Sequence, residues 1–503
     1  MSIKKLAGQT LWYGVPKIVS RFLNYGLTLL GFQLYGAVET SNLTQVYAVI
    51  PFLNVLFTYG LETSYFRFAQ LIDRQKLYNT LNVSIIATTT IFSIGLLFLH
   101  DPLTNFLELG DNPEYVTWMI GILFFDTLST IPLAKLRLDE RPKKYAFVNV
   151  ATVFVNIALV FFFFFIARPN YEANPQSVWM FLYDPSVGVG YFIIANLIAS
   201  AVSNLFLYKE FAAFKWRFDT KVWKEVMHYS YPLIIVGVGG MTNEMLSRLV
   251  YRKVLDVDAI TEKRELGIFG ANYKLAVLIT IFIQIFRLAA EPFFFNQSTK
   301  DDARKTYARV MKFFVIACCF MYLVIVLFLD FWKLLIAGTH KEYALGIHIV
   351  PILAMASIFL GIYYNLSVWY KLTNKNMFGA YITIAGAVIT VLLNMWWIPK
   401  FRYEGAAWAT FVCYAFMMIA SYLQGQKHYS IPYAWKKLIA YLVIVVLIYF
   451  FHRTFVRYTP NLGWLHYLVS LLLIAGFGYF ILRVERKEFA RLPYIGKFVR
   501  RDP

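Results

Sequence analysis

Apolar stretches of about twenty residues recur along the whole chain, separated by short polar segments. A helix of roughly that length crosses the hydrocarbon core of a bilayer. Because lipid offers the backbone no hydrogen-bond partners, we expect each stretch to be an α-helix. The pattern predicts an all-α polytopic membrane protein with fourteen transmembrane helices, at 10–34, 43–66, 79–99, 115–136, 146–167, 186–208, 229–251, 267–295, 309–329, 345–370, 377–398, 404–424, 437–452 and 464–483.

Basic residues alternate between the segments that join these spans. The segments 137–144 and 300–305 and the C-terminal tail are rich in Lys and Arg, whereas the loops 35–42 and 100–114 contain neither. Since cytoplasmic loops carry the excess of positive charge, this alternation places the N- and C-termini in the cytoplasm. It also accounts for a net charge of +19 without nucleic acid as a partner.

Short sequence matches recur between the two halves of the chain. "YGVP" at 13–16 opens the first span and "YSYP" at 229–232 opens the seventh, while Gly190 and Gly405 begin the sixth and twelfth. Six spans per repeat give both halves the same orientation, so the expected pseudo-two-fold lies along the membrane normal. We predict two six-helix lobes and a C-terminal pair of helices, with domains at 1–215, 216–428 and 429–503.

Two basic segments contain aromatic residues, which is typical of helices that lie on a membrane surface. They are the linker 209–226 and the tail after the last span. We therefore expect contact with anionic lipids of the inner leaflet. The three cysteines have no metal-ligand spacing, and no nucleotide or catalytic motif is present, so we expect neither an enzyme nor a cofactor or metal site.

Four predicted spans carry polar and charged residues three or four positions apart, on one helix face. Spans one and seven correspond in the repeat, as do spans two and eight. The stripes are Tyr13, Lys17, Arg21, Asn24 and Thr28 in span one; Asn54, Thr58, Glu62 and Tyr65 in span two; Glu244, Arg248 and Tyr251 or Arg252 in span seven; and Tyr273, Thr280, Gln284, Arg287 and Glu291 in span eight.

Charged side chains at this depth must face a partner helix or an aqueous cavity. Arg–Glu pairs inside each lobe are one interpretation, but the accompanying Asn, Thr, Gln and Tyr residues favour a cavity. Its sum of charges is mildly positive, which suits an anionic ligand such as phosphate. Lys274 lies off the stripe and is expected to snorkel. The membrane-depth bases are Lys17, Arg21, Arg248, Lys274 and Arg287, with Arg67 at the inner end and Arg252 at the outer end; the acids are Glu62, Asp126, Glu244 and Glu291.

With these features the chain resembles the MOP transporter superfamily, above all its polysaccharide (Wzx-type) flippases and lipid II flippases. The resemblance rests on two six-helix lobes, the Tyr-x-x-Pro openings, "GLETSYFRFA" at 60–69 and two trailing helices. It implies a cationic cavity that receives the diphosphate and sugars of a polyprenyl-linked oligosaccharide. The implied substrate-binding residues are Lys17, Arg21, Asn24, Arg67, Arg248 and Arg287; Glu62, Asp126, Glu244 and Glu291 would carry a coupling cation or proton, or pair with bases.

The resulting hypothesis is a flippase of the bacterial inner membrane that moves undecaprenyl-diphosphate oligosaccharide outward by alternating access. A glycan polymerase or glycosyltransferases would be partners. Two alternatives remain open. A cation-coupled multidrug or metabolite exporter would need an acid-dominated cavity, and a membrane glycan polymerase or ligase would need a sizeable outer loop.

Overall fold

The computed structural model describes residues 3–298, 301–338, 340–373, 375–460 and 462–490, with side chains from residue 19 onward except 288, 289, 291, 292, 295 and 296. Every regular element in this part of the chain is helical, which confirms the predicted fold class. The first ten α-helices form the N-terminal lobe: α1 (Ile3–Leu34), α2 (Ala37–Thr58), α3 (Leu61–Phe68), α4 (Arg74–Phe98), α5 (His100–Leu107), α6 (Glu114–Leu138), α7 (Pro142–Phe161), α8 (Arg168–Ala173), α9 (Tyr191–Phe206) and α10 (Tyr208–Ala212).

The C-terminal lobe follows directly, and a helical pair completes the chain. A π-helical turn at Phe162–Ala167 and 3₁₀ turns at Val178–Phe181, Pro185–Gly190 and Lys341–Ile349 join some of the elements. The lobe contains α11 (Thr220–Val254), α12 (Ala259–Gln297), α13 (Ala303–Leu327), α14 (Leu329–Ala337), α15 (Val350–Leu366), α16 (Val368–Leu372) and α17 (Asn376–His428); α18 (Trp435–Tyr458), α19 (Gly463–Val484) and α20 (Arg486–Phe489) follow it.

The helix lengths are consistent with fourteen spans. Twelve helical segments of the described chain are long and apolar enough to cross a membrane. One of them, α17, has 53 residues, a length of about 80 Å at 1.5 Å per residue. Its backbone breaks at Arg402 (φ 52°), so it holds the predicted eleventh and twelfth spans. The charged helix α1 provides the remaining span.

Backbone breaks recur at corresponding places in the two lobes. Short helices α5 and α14 each begin within two residues of the end of a span, α4 and α13 respectively. Gly188 (φ 50°) lies shortly before Gly190, as Arg402 (φ 52°) lies shortly before Gly405. These matched interruptions agree with the internal repeat that the sequence predicts.

The linker 209–226 differs from the continuous surface helix that its composition predicts. It is helical only to Ala212 and again from Thr220. Backbone N–H groups between these helices bond to α4 instead: Lys215 N donates to Asn79 Oδ1 (2.9 Å) and Asp219 N to Thr80 Oγ1 (3.3 Å). Asp219 then caps α11 by accepting from Val222 N. Competing hydrogen bonds to α4 therefore break the helix.

The lobes meet along the helices that carry the polar stripes. Helix α2 packs against α11 and α12, and α1 packs against α12. The C-terminal pair, α18 and α19, packs on α13, on the outside of the C-terminal lobe. The interface thus brings together spans one, two, seven and eight.

Candidate functional site

A cavity of about 330 Å³ lies between the lobes. Helices α1, α2, α7 and α9 form its N-terminal wall, and α11 and α12 form the opposite wall. Its size falls in the range of small-ligand sites, which are about 300–1,000 Å³. The residues that line it are Asn24, Leu27, Thr28, Phe32, Leu43, Thr44, Tyr47, Asn156, Phe192, Asn196, Met245, Arg248, Gly270 and Lys274.

Arg248 and Lys274 supply positive charge to the C-terminal wall. The Arg248 guanidinium lies 4.3 Å from the centre of the Tyr273 ring and donates to the backbone carbonyl of Glu244 (3.0 Å). Only 7% of Arg248 is exposed, and its Nε is buried without a hydrogen-bond partner among the described residues. A buried guanidinium with an unused donor is a place where an anionic oxygen gains a charge-assisted hydrogen bond.

Two further arginines extend this cationic group. Arg21 is exposed, and Arg287 lies with its guanidinium 4.0 Å from the centre of the Tyr364 ring. Among the described side chains, Arg21 lies close enough to Glu244 and Arg287 for their charges to act on it, and Lys274 lies similarly close to Arg248 and Glu244. We call Arg21, Arg248, Lys274 and Arg287 the cationic cluster. Glu244 is the acid that lies among them.

The ion pairs within the described residues use other bases. Glu62 pairs with Arg137 inside the N-terminal lobe, which is the charge pairing that the sequence left open for this acid. Arg252, which the sequence places at the outer end of the cavity, pairs with Glu108 (2.9 Å). Among the described side chains, no ion pair connects the cationic cluster to a carboxylate. Among the described side chains, the locked Arg–Glu pairs of the alternative interpretation are therefore absent from the cationic cluster, and Glu291, one turn after Arg287, lies outside them.

The other predicted site residues fall in several places. Asn24 is exposed and lines the cavity, whereas Arg67 lies over the Tyr229 ring (4.2 Å), where α3 meets α11. Asp126 is near Tyr47 and Ser200 and has no ion pair with a described base. The side chains of Lys17 and Glu291 lie outside the described residues.

The lobes are fastened together at the end of the cavity that the predicted topology assigns to the outer side. Glu342 Oε1 accepts a hydrogen bond from Ala37 N (2.5 Å) at the start of α2, and Tyr343 donates to the carbonyl of Tyr35 (2.9 Å). Lys263 pairs with Asp111 there, beside the Arg252–Glu108 pair. The charged side chains of these pairs thus neutralise each other across the interface, whereas those of the cationic cluster do not form such pairs.

Two glycines of α12 allow the close approach of α2. A Cβ on Gly267 would overlap the carbonyl oxygen of Ala37, and a Cβ on Gly270 would come within 2.6 Å of Thr44 Oγ1. Only a residue without a side chain lets the helices meet at this distance. The closure at this end of the cavity therefore depends on backbone packing as well as on ion pairs.

Sequence reasoning missed part of the cavity wall. Lys274 was expected to snorkel, but it lines the cavity. The polar stripes do not include Asn156 and Asn196, because each is an isolated polar residue in an apolar span, and they do not include Tyr47, which precedes the stripe of span two. A lone Asn in "VFVNIAL" (153–159) or "IIANLIA" (193–199) was the available signal.

The overall fold matches solved transporter structures. A structure titled lipid II flippase MurJ in an inward closed conformation aligns with a TM-score of 0.70 at 12% identity, covering 94% of this chain and 98% of that one. The chain has the fold of the MOP transporter superfamily. An inward-facing multidrug resistance MATE family transporter of the MOP superfamily aligns with a TM-score of 0.63 at 11% identity, covering 86% and 98% of the two chains. The Vibrio cholerae MATE transporter VcmN in its bent form gives 0.56 at 13% identity, covering 84% and 97%.

Sequence comparison adds a local match within this MOP fold. Residues 258–396, which run from α12 into α17, match the MatE family model. No curated protein matches the chain in sequence. The fold that the resemblance implies is thus confirmed.

Proposed function

We propose that this transporter is a flippase for a polyprenyl-diphosphate-linked oligosaccharide, which it moves from the cytoplasmic to the outer leaflet by alternating access. The observation that supports this substrate most strongly is the cationic cluster at the lobe interface. The cluster contains four bases, Glu244 lies close enough to act on Arg21 and Lys274, and no ion pair with a described carboxylate holds any of the four. Each such charge is costly in a membrane unless a ligand or water compensates it.

A diphosphate fits the cluster better than a single carboxylate does. Guanidinium groups bind phosphate oxygens with two parallel hydrogen bonds, and a lysine adds a point charge. The aromatic rings beneath Arg248 and Arg287 hold the guanidinium planes in place without consuming their outer donors. Lys17 belongs to the same proposal as a neighbour of Arg21 on α1, and Arg67 as a first contact at the inner end.

A multidrug exporter is the principal alternative, and the sign of the charge in the cavity distinguishes it from a flippase. Organic cations would require an excess of carboxylates in the cavity. The described lining of the cavity contains Arg248 and Lys274 and no carboxylate. A glycan polymerase or ligase is not supported, because the matched structures are transporters.

Transport direction and coupling follow from the same charges. An inside-negative potential favours outward movement of an anion by about 2.3 kcal/mol per charge per 100 mV. If a proton or cation is coupled, Asp126 and Glu244 are the candidates, with Glu291 outside the described side chains.

We also propose that the protein lies in a bacterial inner membrane with both termini in the cytoplasm. A glycan polymerase or glycosyltransferases would be its partners there, and its basic cytoplasmic segments would contact anionic lipid.

A translocation assay with purified protein in proteoliposomes tests the proposed flippase function. Translocation of a polyprenyl-diphosphate oligosaccharide into the outer leaflet of proteoliposomes is measured for the wild type, Arg21→Ala and Arg248→Ala. Each variant is expected to lose about tenfold or more, because a hydrogen bond to a charged group contributes about 1.5–3 kcal/mol. Arg483→Ala, an exposed arginine in the last turn of α19, is the matched control and should transport normally. Normal translocation by both cavity variants would refute the cationic binding site.

A further inference from the structure

The two walls of the central cavity differ in chemistry. The wall from α11 and α12 contributes Arg248 and Lys274, whereas the wall from α1, α2, α7 and α9 contributes amides and hydroxyls without a charged lining residue. We call this neutral surface the amide wall. It comprises Asn24, Thr28, Thr44, Tyr47, Asn156 and Asn196.

The amide wall has hydrogen-bonding groups available for a ligand. Asn156 Oδ1 is buried and has no hydrogen-bond partner within the described chain. The Asn196 amide donates only a long bond to Tyr47 Oη (3.3 Å), and that hydroxyl donates a still longer one to the carbonyl of Phe192 (3.5 Å). Since buried polar groups are normally satisfied, such a set indicates a missing partner.

We infer that the amide wall is a subsite for neutral sugar residues, opposite the site for the diphosphate. This inference rests on the proposed flippase function. Sugar hydroxyls both donate and accept, as Asn amides and Tyr hydroxyls do, so the two sets can satisfy each other without charge. Phe32 and Phe192 line the same cavity and offer apolar surface to the faces of sugar rings. The cationic cluster then recognises the lipid diphosphate that all such carriers share, and the amide wall distinguishes a glycosylated carrier from a bare one.

Binding of two ligands distinguishes the contributions of the two walls of the cavity. The purified full chain is titrated with bare polyprenyl diphosphate and with the same lipid carrying a neutral oligosaccharide. The wild type should bind the glycosylated lipid about tenfold more tightly. Asn156→Ala and Asn196→Ala should abolish that preference while changing the affinity for the bare diphosphate by less than twofold.

A variant on the same helix controls for packing. Asn204 of α9 also has a buried amide oxygen without a described partner, but its Nδ2 donates to the carbonyls of Phe125 and Ser200 and it does not line the cavity. Asn204→Ala should retain the preference for the glycosylated lipid. Melting temperatures of all variants show whether each is folded.

The outcomes distinguish failure of the subsite from failure of the flippase proposal. If Asn156→Ala and Asn196→Ala weaken both lipids equally, or leave the preference intact, the amide wall is structural and the inference is wrong. If wild-type protein binds neither lipid, the proposed function itself is wrong. Arg248→Ala should weaken both lipids by the same factor, and a selective loss of glycan preference in that variant would overturn the division between the walls.

Discussion

At the scale of single residues, the net charge of the cavity depends on which charged side chains pair with each other. The sequence identified Arg21, Arg248 and Arg287 because helical spacing places them on polar faces. It could not tell that Glu62 is taken by Arg137, because that partner is 75 positions away. It also placed Lys274 outside the site, since a residue off the stripe is assigned by tertiary packing rather than by its own helix.

Glu244 offers a test of how the net charge is set. Glu244→Gln removes the acid that lies among four bases, which is worth on the order of 1 kcal/mol at a screened distance. We expect KM for the lipid-linked glycan to fall about threefold to tenfold and kcat to fall as well, because product leaves a more positive site more slowly. Glu404→Gln, at a surface acid that pairs with His348, is the control. An unchanged KM would show that Glu244 does not moderate the site.

At the scale of elements, the helices were predictable and their interruptions were not. Each of the fourteen apolar stretches forms a helix, since lipid leaves the backbone no alternative. The linker 209–226 is not one continuous helix, because Asn79 and Thr80 accept hydrogen bonds from its backbone. The local sequence of the linker does not predict these bonds to a distant helix. The close crossing of α2 and α12 depends on Gly267 and Gly270. Nothing in the sequence distinguishes these two glycines from the other glycines of the membrane spans.

The α2–α12 contact predicts how the outer side opens. Gly267→Leu should wedge the helices apart, because its side chain would overlap the carbonyl of Ala37. A Thr28→Cys reporter in the cavity should then react several-fold faster with an impermeant maleimide added outside. The three native cysteines are buried, so background labelling is low. Gly95→Leu, where a Cβ would meet nothing within 4 Å, is the control; equal labelling in the two variants would contradict the proposed closure.

The C-terminal pair of helices is held by a buried acid. Glu485, only 2% exposed, accepts from Lys312 (2.6 Å), Lys437 (2.8 Å) and Tyr441 (2.6 Å), which joins α18 and the end of α19 to α13. Glu485→Ala leaves Lys312 buried without this partner, and removing one member of a buried ion pair costs about 3–5 kcal/mol. A clear fall in melting temperature is expected in detergent, against none for exposed Lys487→Ala. A melting point equal to that of the wild type would disprove this anchoring role.

At the scale of the whole molecule, two lobes close over the cavity through paired charges. The hydrogen bond and charge of Lys263 lower the pKa of Asp111 below its usual range. A carboxyl with a depressed pKa contributes its stability above the ordinary Asp value and loses it only as pH falls through the lowered one. Outer closure should therefore be insensitive to this pair between pH 5 and 8. External labelling of Thr28→Cys checks this, and a rise near pH 6 that Asp111→Asn abolishes would contradict it.

The central claim is that the space between the lobes selects an anion. The most direct measurement offers one batch of proteoliposomes a polyprenyl-diphosphate oligosaccharide and, separately, an organic cation of the kind multidrug transporters export. We expect transfer of the glycolipid to the opposite leaflet and no uptake of the cation above protein-free vesicles. Uptake of the cation without transfer of the glycolipid would contradict it.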